Sequence, residues 1–172
     1  MIIILSGAHG TGKTYQIERL SSKYELRHTD EAARNCPYPI NGKTDTAQEW
    51  LFWDQLSTEC EAKKPARDND VVLLDRCVID VFVYSEFYCM DNAFAKLFKK
   101  EQFTPVYERI YWFRTFEFYV DDGVRDKKEY QAPLDSIFAK YYENNPKVMQ
   151  ICNEDDVKKM EDEIKGFVED LS

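Results

Sequence analysis

Gly7-Ala8-His9-Gly10-Thr11-Gly12-Lys13-Thr14 follows a short apolar run and fits the pattern G-x-x-x-x-G-K-[ST], with Gly7, Gly12, Lys13 and Thr14 in the fixed places. Glycines there let the backbone take positive φ and curl round an anion, so that successive N–H groups point inward. A helix beginning at Lys13 adds its positive dipole end. Lys13 then reaches the β and γ phosphates of a nucleotide, and the Thr14 hydroxyl ligates Mg²⁺. With Gly at about 7% of residues, the four fixed positions arise by chance on the order of once in 200 chains of this length. Residues 7–14 are therefore expected to bind ATP or another NTP. His9 stands at a variable position where the backbone matters more than the ring; a catalytic imidazole is the alternative.

Two further groups of residues have types suited to the same chemistry. Val71 to Leu74 is a buried apolar run that ends in Asp75-Arg76. An acidic residue at the carboxyl end of a strand beside the phosphate loop lies in the crevice where open α/β sheets bind ligands, and Asp75 is placed to hold the Mg²⁺ water shell. Thr29-Asp30-Glu31-Ala32-Ala33-Arg34 follows another strand. Its carboxylate can accept the proton of an attacking hydroxyl, and Arg34 can grip a sugar hydroxyl or a phosphate. The competing reading is an ordinary helix start, with Asp30 as cap and Glu31 in the first turn.

The elements that must position these residues alternate along the chain. Met1 to Leu5 and Val71 to Leu74 are apolar at every position, as strands covered on both faces of a parallel sheet are. Glu25 to Thr29, Arg109 to Phe113 and Val148 to Ile151 read as three more strands. Helices are expected over Lys13 to Tyr24, Thr46 to Ala62, Val78 to Lys99, Leu134 to Asn144 and Asp155 to Leu171. The last carries Val157, Met160, Ile164, Phe167, Val168 and Leu171 on one stripe. Asn35 to Thr44, with two prolines and a glycine, is a loop. The alternation predicts right-handed crossovers and a three-layer, doubly wound α/β fold in one domain over residues 1–172.

Composition limits the function classes. The chain has 172 residues, with 23 Lys plus Arg against 32 Asp plus Glu, a formal charge of −9. Counterion-driven nucleic-acid binding needs a basic face, and no Lys/Arg cluster provides one. No apolar run is long enough for a signal segment or a membrane span, so a cytoplasmic protein without a membrane partner is expected. Five scattered cysteines and two histidines offer no structural zinc spacing. Aromatic residues make up 15%. Trp50, Phe52 and Trp53 lie on one expected helix and Phe82, Tyr84, Phe87 and Tyr88 on another; each ring can serve the core, and as a group they can stack a base.

Residues Ile2 to Thr14, Glu31-Ala32-Ala33-Arg34 and Leu73 to Tyr84 together resemble the NadR-like AAA-type family of P-loop proteins, which includes the ribosylnicotinamide kinase domain of bacterial NAD biosynthesis. The shared pattern is a P-loop, then E-x-A-R, then D-R-x-x-x-D-x-x-x-Y. The Asp-Arg pair is also similar to that of thymidylate and deoxynucleoside kinases. The resemblance implies a five-stranded parallel sheet of order 2-3-1-4-5. It also implies that Glu31 and Asp75 flank an acceptor, with Arg76 contacting it, and that an arginine-bearing lid follows the fourth strand. The lid candidate is Arg114 to Lys128, in which Arg125 swings onto the transferring phosphoryl group and Arg114 is a second candidate; a solvated charged loop is the alternative.

Three reactions fit these residues. The first is ATP- and Mg²⁺-dependent phosphoryl transfer to a small nucleoside or nucleoside monophosphate, with Lys13, Glu31, Asp75 and Arg125 as catalytic residues and Glu31, Arg34, Arg76 and Asp80 as acceptor contacts. The second is an NTP-binding switch without an acceptor. The third is a polynucleotide 5′-kinase, which the negative charge disfavours. A switch needs a residue such as glutamine to orient water, and none is identifiable. The kinase is the expected function, and a homodimer is left open.

Overall fold

The computed structural model describes residues 1–38, 44–64, 70–88, 107–115 and 128–171. Among these, five parallel strands form one sheet in the order β2-β3-β1-β4-β5. The strands are β1 (Ile2–Gly7), β2 (Arg27–Thr29), β3 (Val72–Asp75), β4 (Arg109–Phe113) and β5 (Val148–Ile151). Helices α1 (Lys13–Tyr24), α2 (Asp45–Ala62), α3 (Val78–Phe87), α4 (Gln131–Tyr142) and α5 (Glu154–Leu171) cover it. The expected strand order and the three-layer α/β class are both observed.

The layers follow from strand alternation. Ile2 and Ile4 of β1 point into one core with Leu74, Phe52, Val78, Trp112 and Phe138, so α2, α3 and α4 lie on that face. Ile3 and Leu5 point the other way, onto Ile17, Leu20, Met160 and Ile164 of α1 and α5. Both faces are covered, which is why β1 and β3 carry no polar alternation.

Element ends differ from expectation for local reasons. β1 runs on to Gly7 because its pairing with β4 continues through Ser6↔Trp112 and Gly7↔Phe113. A Cβ on Gly7, whose φ is +129°, would lie 2.3 Å from the Phe113 carbonyl oxygen, so glycine is required by space and by conformation. β2 is shorter than Glu25 to Thr29 because Glu25 takes a left-handed φ of 54° and caps α1, its N–H donating to the Ser21 carbonyl. α2 starts one residue earlier, where the Thr44 side chain accepts from the Ala47 N–H at 3.2 Å. α4 starts at Gln131 rather than Leu134, since Pro133 in a first helical turn gives up no intrahelical hydrogen bond. The expected helix Val78 to Lys99 is shorter, since α3 ends at Phe87 with Tyr88 as its C-cap; residues 89–99 lie outside the described residues.

Candidate active site

The loop after β1 is a backbone cradle. Gly10 and Gly12 have φ of 70° and 88°, and Gly12 is the left-handed N-cap of α1. The Thr11 hydroxyl donates to the Ala8 carbonyl at 2.9 Å. Lys13 is 4% exposed, and its Nζ donates to the same carbonyl at 2.6 Å and to Thr11 Oγ1 at 3.1 Å. Burial, reinforced by the Arg76 charge, pushes the Lys13 ammonium down to about 7. The His9 peptide is held on both sides: its N–H donates to the Tyr84 hydroxyl at 3.0 Å, and its carbonyl accepts from Gln131 Nε2 at 2.7 Å. The His9 ring also contacts Tyr84, with Nδ1 3.3 Å from the hydroxyl.

Beside this cradle, the Thr14 hydroxyl donates to Asp75 Oδ2 at 2.6 Å. Asp75 is buried, and its Oδ1 has no hydrogen-bond partner among the described residues. A buried orphan acceptor next to a threonine hydroxyl suits a hard divalent cation or its water, so Thr14 and Asp75 fit Mg²⁺. Burial and the neighbouring Glu31 carboxylate push the Asp75 carboxyl up, a cost that a cation would offset.

β3 then turns sharply into α3, and the turn carries the arginine. Arg76 has a left-handed φ of 75°, a conformation costing a non-glycine residue roughly 1–3 kcal/mol. Its guanidinium folds back toward the phosphate loop: Nε donates to Glu31 Oε1 at 2.7 Å, and Nη1 to the Gly7 carbonyl at 2.9 Å and Asp80 Oδ1 at 3.3 Å. Its Cζ lies 5.1 Å from the centre of the Tyr84 ring, a cation–π distance. Burial alone would weaken this base, but Tyr84 and the carboxylates of Glu31, Asp80 and Asp75 outweigh it and keep the charge fixed.

Glu31 is buried at 7% exposure and stands at the N-cap of a 3-10 turn over Ala32–Asn35, yet its side chain makes no capping bond. The helix-start reading therefore does not describe it: the carboxylate is committed to Arg76, while Asp30 is exposed. Arg34 is half exposed and only 3.8 Å from Glu31 Oε2. Asp80 sits deeper than an acceptor contact would. It is 1% exposed and accepts from Ser6 Oγ, the Gly7 N–H, the Cys77 N–H and Arg76, which makes it the joint between the phosphate loop and the Arg76 turn. Lys13, Thr14, Glu31, Asp75, Arg76 and Asp80 thus converge at one end of the sheet.

The lid segment is different. Arg125 and residues 116–127 lie outside the described residues. Arg114 is fixed at the end of β4, donating from Nε to Asp135 Oδ2 at 2.6 Å and from Nη1 to Gln150 Oε1 at 2.7 Å, with its guanidinium over Trp112. The aromatic residues divide as well: Phe52 and Phe82 are core, 5.8 Å apart, while Trp53 is 49% exposed.

Sequence reasoning missed Gln55, Glu59 and Gln131. A signal for the first two exists, since Gln48, Phe52, Gln55, Glu59 and Ala62 recur at helical spacing and form the buried stripe of α2. Polar residues at core positions must have partners, and theirs are on the Arg76 turn and its neighbours.

Comparison with known proteins agrees with this fold. A family model described as an AAA domain matches residues 2–159. The chain belongs to the AAA-domain family. Three solved structures share the fold of this AAA-domain protein. A NadR protein crystallised with NR has a TM-score of 0.73 at 19% identity, over 97% of this chain and 51% of that one, so the chain spans about half the NadR length. Deoxyadenosine kinase from M. mycoides with bound dATP has a TM-score of 0.69 at 16% identity, over 96% and 98%. Thymidylate kinase from Candida albicans has 0.62 at 14%, over 99% and 93%. Among curated proteins, none matches the sequence. Among the described residues, no helix is long and apolar enough to cross a membrane.

Proposed function

We propose that this AAA-domain protein transfers the γ-phosphoryl group of ATP to a small nucleoside-type acceptor. One observation carries the reading. A buried carboxylate from the end of β2 and a mostly buried guanidinium from the end of β3 pair at 2.7 Å beside the phosphate cradle, the guanidinium also donating to the Gly7 carbonyl. An NTP-binding switch has no use for such an acid-and-arginine corner, and holding Arg76 left-handed to build it costs stability.

In this reading, residues 7–14 bind the triphosphate and Lys13 meets the β and γ phosphates. Thr14 and Asp75 hold Mg²⁺, which neutralises charge on the transferring group. Arg76 grips the acceptor, and Glu31 accepts the proton of its hydroxyl. A carboxylate in that place favours a nucleoside hydroxyl over a nucleoside monophosphate, which would call for further arginines. Arg125 serves as the lid cation. Fold likeness to kinases named for nucleosides and nucleotides supports the acceptor class.

The test is a panel of nucleosides, ribosylnicotinamide and nucleoside monophosphates with labelled ATP and Mg²⁺. Label should appear on an acceptor, with hydrolysis slow in its absence. Basal hydrolysis with no transfer to any member would overturn the assignment. A Glu31→Gln variant should lose about 10²-fold or more of kcat with a nucleoside if Glu31 is the base. An equal loss with a monophosphate would remove it from that role.

A further inference from the structure

We propose that Gln55 and Glu59, one turn apart on α2, are positioning residues that hold the Arg76 guanidinium in the site by clamping the backbone of the β3–α3 turn. Five peptide groups of that turn have defined partners, one of them the Cys77 carbonyl, which accepts from the Asp80 N–H at 2.9 Å. The Arg76 N–H donates to the Leu5 carbonyl at 3.0 Å, and the Cys77 N–H to Asp80 Oδ2 at 3.1 Å. The other two are reached from α2: the Arg76 carbonyl accepts from Gln55 Nε2 at 3.1 Å, and the Val78 N–H donates to Glu59 Oε1 at 2.7 Å. Glu59 Oε2 is in turn fixed by the Tyr107 hydroxyl at 2.6 Å.

The clamp matters because Arg76 must stay left-handed. With φ at 75°, the side chain leaves the turn toward Gly7 and Glu31; relaxation to negative φ would swing the guanidinium away from both. Nothing within Arg76 favours the left-handed form, since glycine and asparagine are the residues that take it readily. External bonds on either side of the strained φ/ψ pair are therefore what select it. Gln55 and Glu59 are 3% and 2% exposed, so neither bond competes with water. Both residues sit on α2, the helix that also carries Phe52 and Trp53. A shift of α2 would therefore be passed directly to the arginine.

That the arginine faces an acceptor rests on the phosphoryl-transfer reading, but its conformation does not, and the experiment separates the two. Gln55→Leu, Glu59→Leu and Glu59→Gln variants are compared with the native chain by circular dichroism and by NMR of the arginine Nε–H resonances. Steady-state kinetics with the best acceptor of the panel complete the comparison. Gln55→Leu and Glu59→Leu should speed solvent exchange of the Arg76 Nε–H at least 10-fold while leaving the Arg114 Nε–H within twofold. They should also lower kcat/KM for the acceptor at least 10-fold, with the KM for ATP within twofold. Glu59→Gln can still accept from the Val78 N–H and should recover at least a third of native kcat/KM. If Glu59→Leu fails to fold, Gln55→Leu and Glu59→Gln decide alone. Variants that keep native Arg76 exchange, or that loosen Arg76 and Arg114 equally, overturn the clamp. A native chain that transfers no phosphate overturns the function instead, while the exchange measurement still decides the clamp.

Discussion

Lys13 holds a proton poorly in the folded chain, and nucleotide binding should return it. Its ammonium is pushed down to about 7 by burial, against an ordinary value of 10.5. Between those values the unfolded chain binds more protons than the native one, so this residue makes stability rise with pH from about 7 to 10.5; below 7 its burial cost is constant. Anionic phosphates favour the charged form, so binding at pH 8 should take up close to one proton per site, ~0.9 by simple titration, falling to ~0.1 at pH 6. Calorimetry in two buffers of different ionisation enthalpy reads this directly. No uptake at pH 8 would show either that Lys13 already carries its proton in the free chain or that it is not at the phosphates. Asp75 gives a prediction of opposite stability sign. Its carboxyl is pushed up by burial, so Asp75→Asn should keep or raise Tm at pH 7 while raising the Mg²⁺ needed for half-maximal nucleotide binding about 10-fold or more. A titration with unchanged Mg²⁺ dependence would take the cation away from this residue. These groups could be read from spacing because they lie within one loop or at a strand end. Gln131 could not, because its partner His9 lies 122 residues away; the helical spacing of Glu59 marks it as buried but does not point to its partner at Val78.

At the scale of elements, β1 and β3 were the readable strands, since continuous apolar runs admit few alternatives, whereas β2, which leads to Glu31, has no such run. Departures occurred where one backbone angle decides the boundary. Glu25 in a left-handed cap shortens β2, and Gly7 pairing with Phe113 lengthens β1. Asp80 shows the same limit for a side chain: its motif position marked it as important, but only the fold shows that it joins Ser6, Gly7, Cys77 and Arg76. The close approach of β1 and β4 at Gly7 is testable. Gly7→Ala would drive a Cβ to 2.3 Å from the Phe113 carbonyl oxygen at a φ that L side chains rarely adopt. Relief requires parting two strands at the mouth of the phosphate loop. We expect a loss of about 2–4 kcal/mol. For a domain of this size that is a fall of roughly 5–15 °C in Tm. A thermal melt within 2 °C of the native chain would show that the strand end yields without cost.

For the whole molecule, the consequence of one fold carrying the phosphate cradle and the Glu31–Arg76 corner is that ligand binding and stability are linked. The cradle follows the central strand, and its His9 peptide is tied to α3 and α4, so a bound triphosphate resists separation of the sheet from that helical layer. ATP with Mg²⁺ at 100 times its Kd should add about 2.7 kcal/mol to the free energy of unfolding. At about 2–4 °C per kcal/mol for 150–250 residues, Tm should rise by roughly 5–10 °C. Lys13→Ala should abolish most of that rise while leaving the unliganded Tm no lower, because the substitution removes a buried charge whose cost the fold bears. A nucleoside acceptor added with a non-hydrolysable ATP analogue should raise Tm further, and Arg76→Ala should remove the second increment but not the first. With a formal charge of −9, a single-stranded oligonucleotide should add nothing, since no counterions are released from a surface that repels it. An oligonucleotide increment as large as the nucleoside one would reverse the choice of acceptor. An acceptor increment that survives Arg76→Ala would place that acceptor away from the guanidinium.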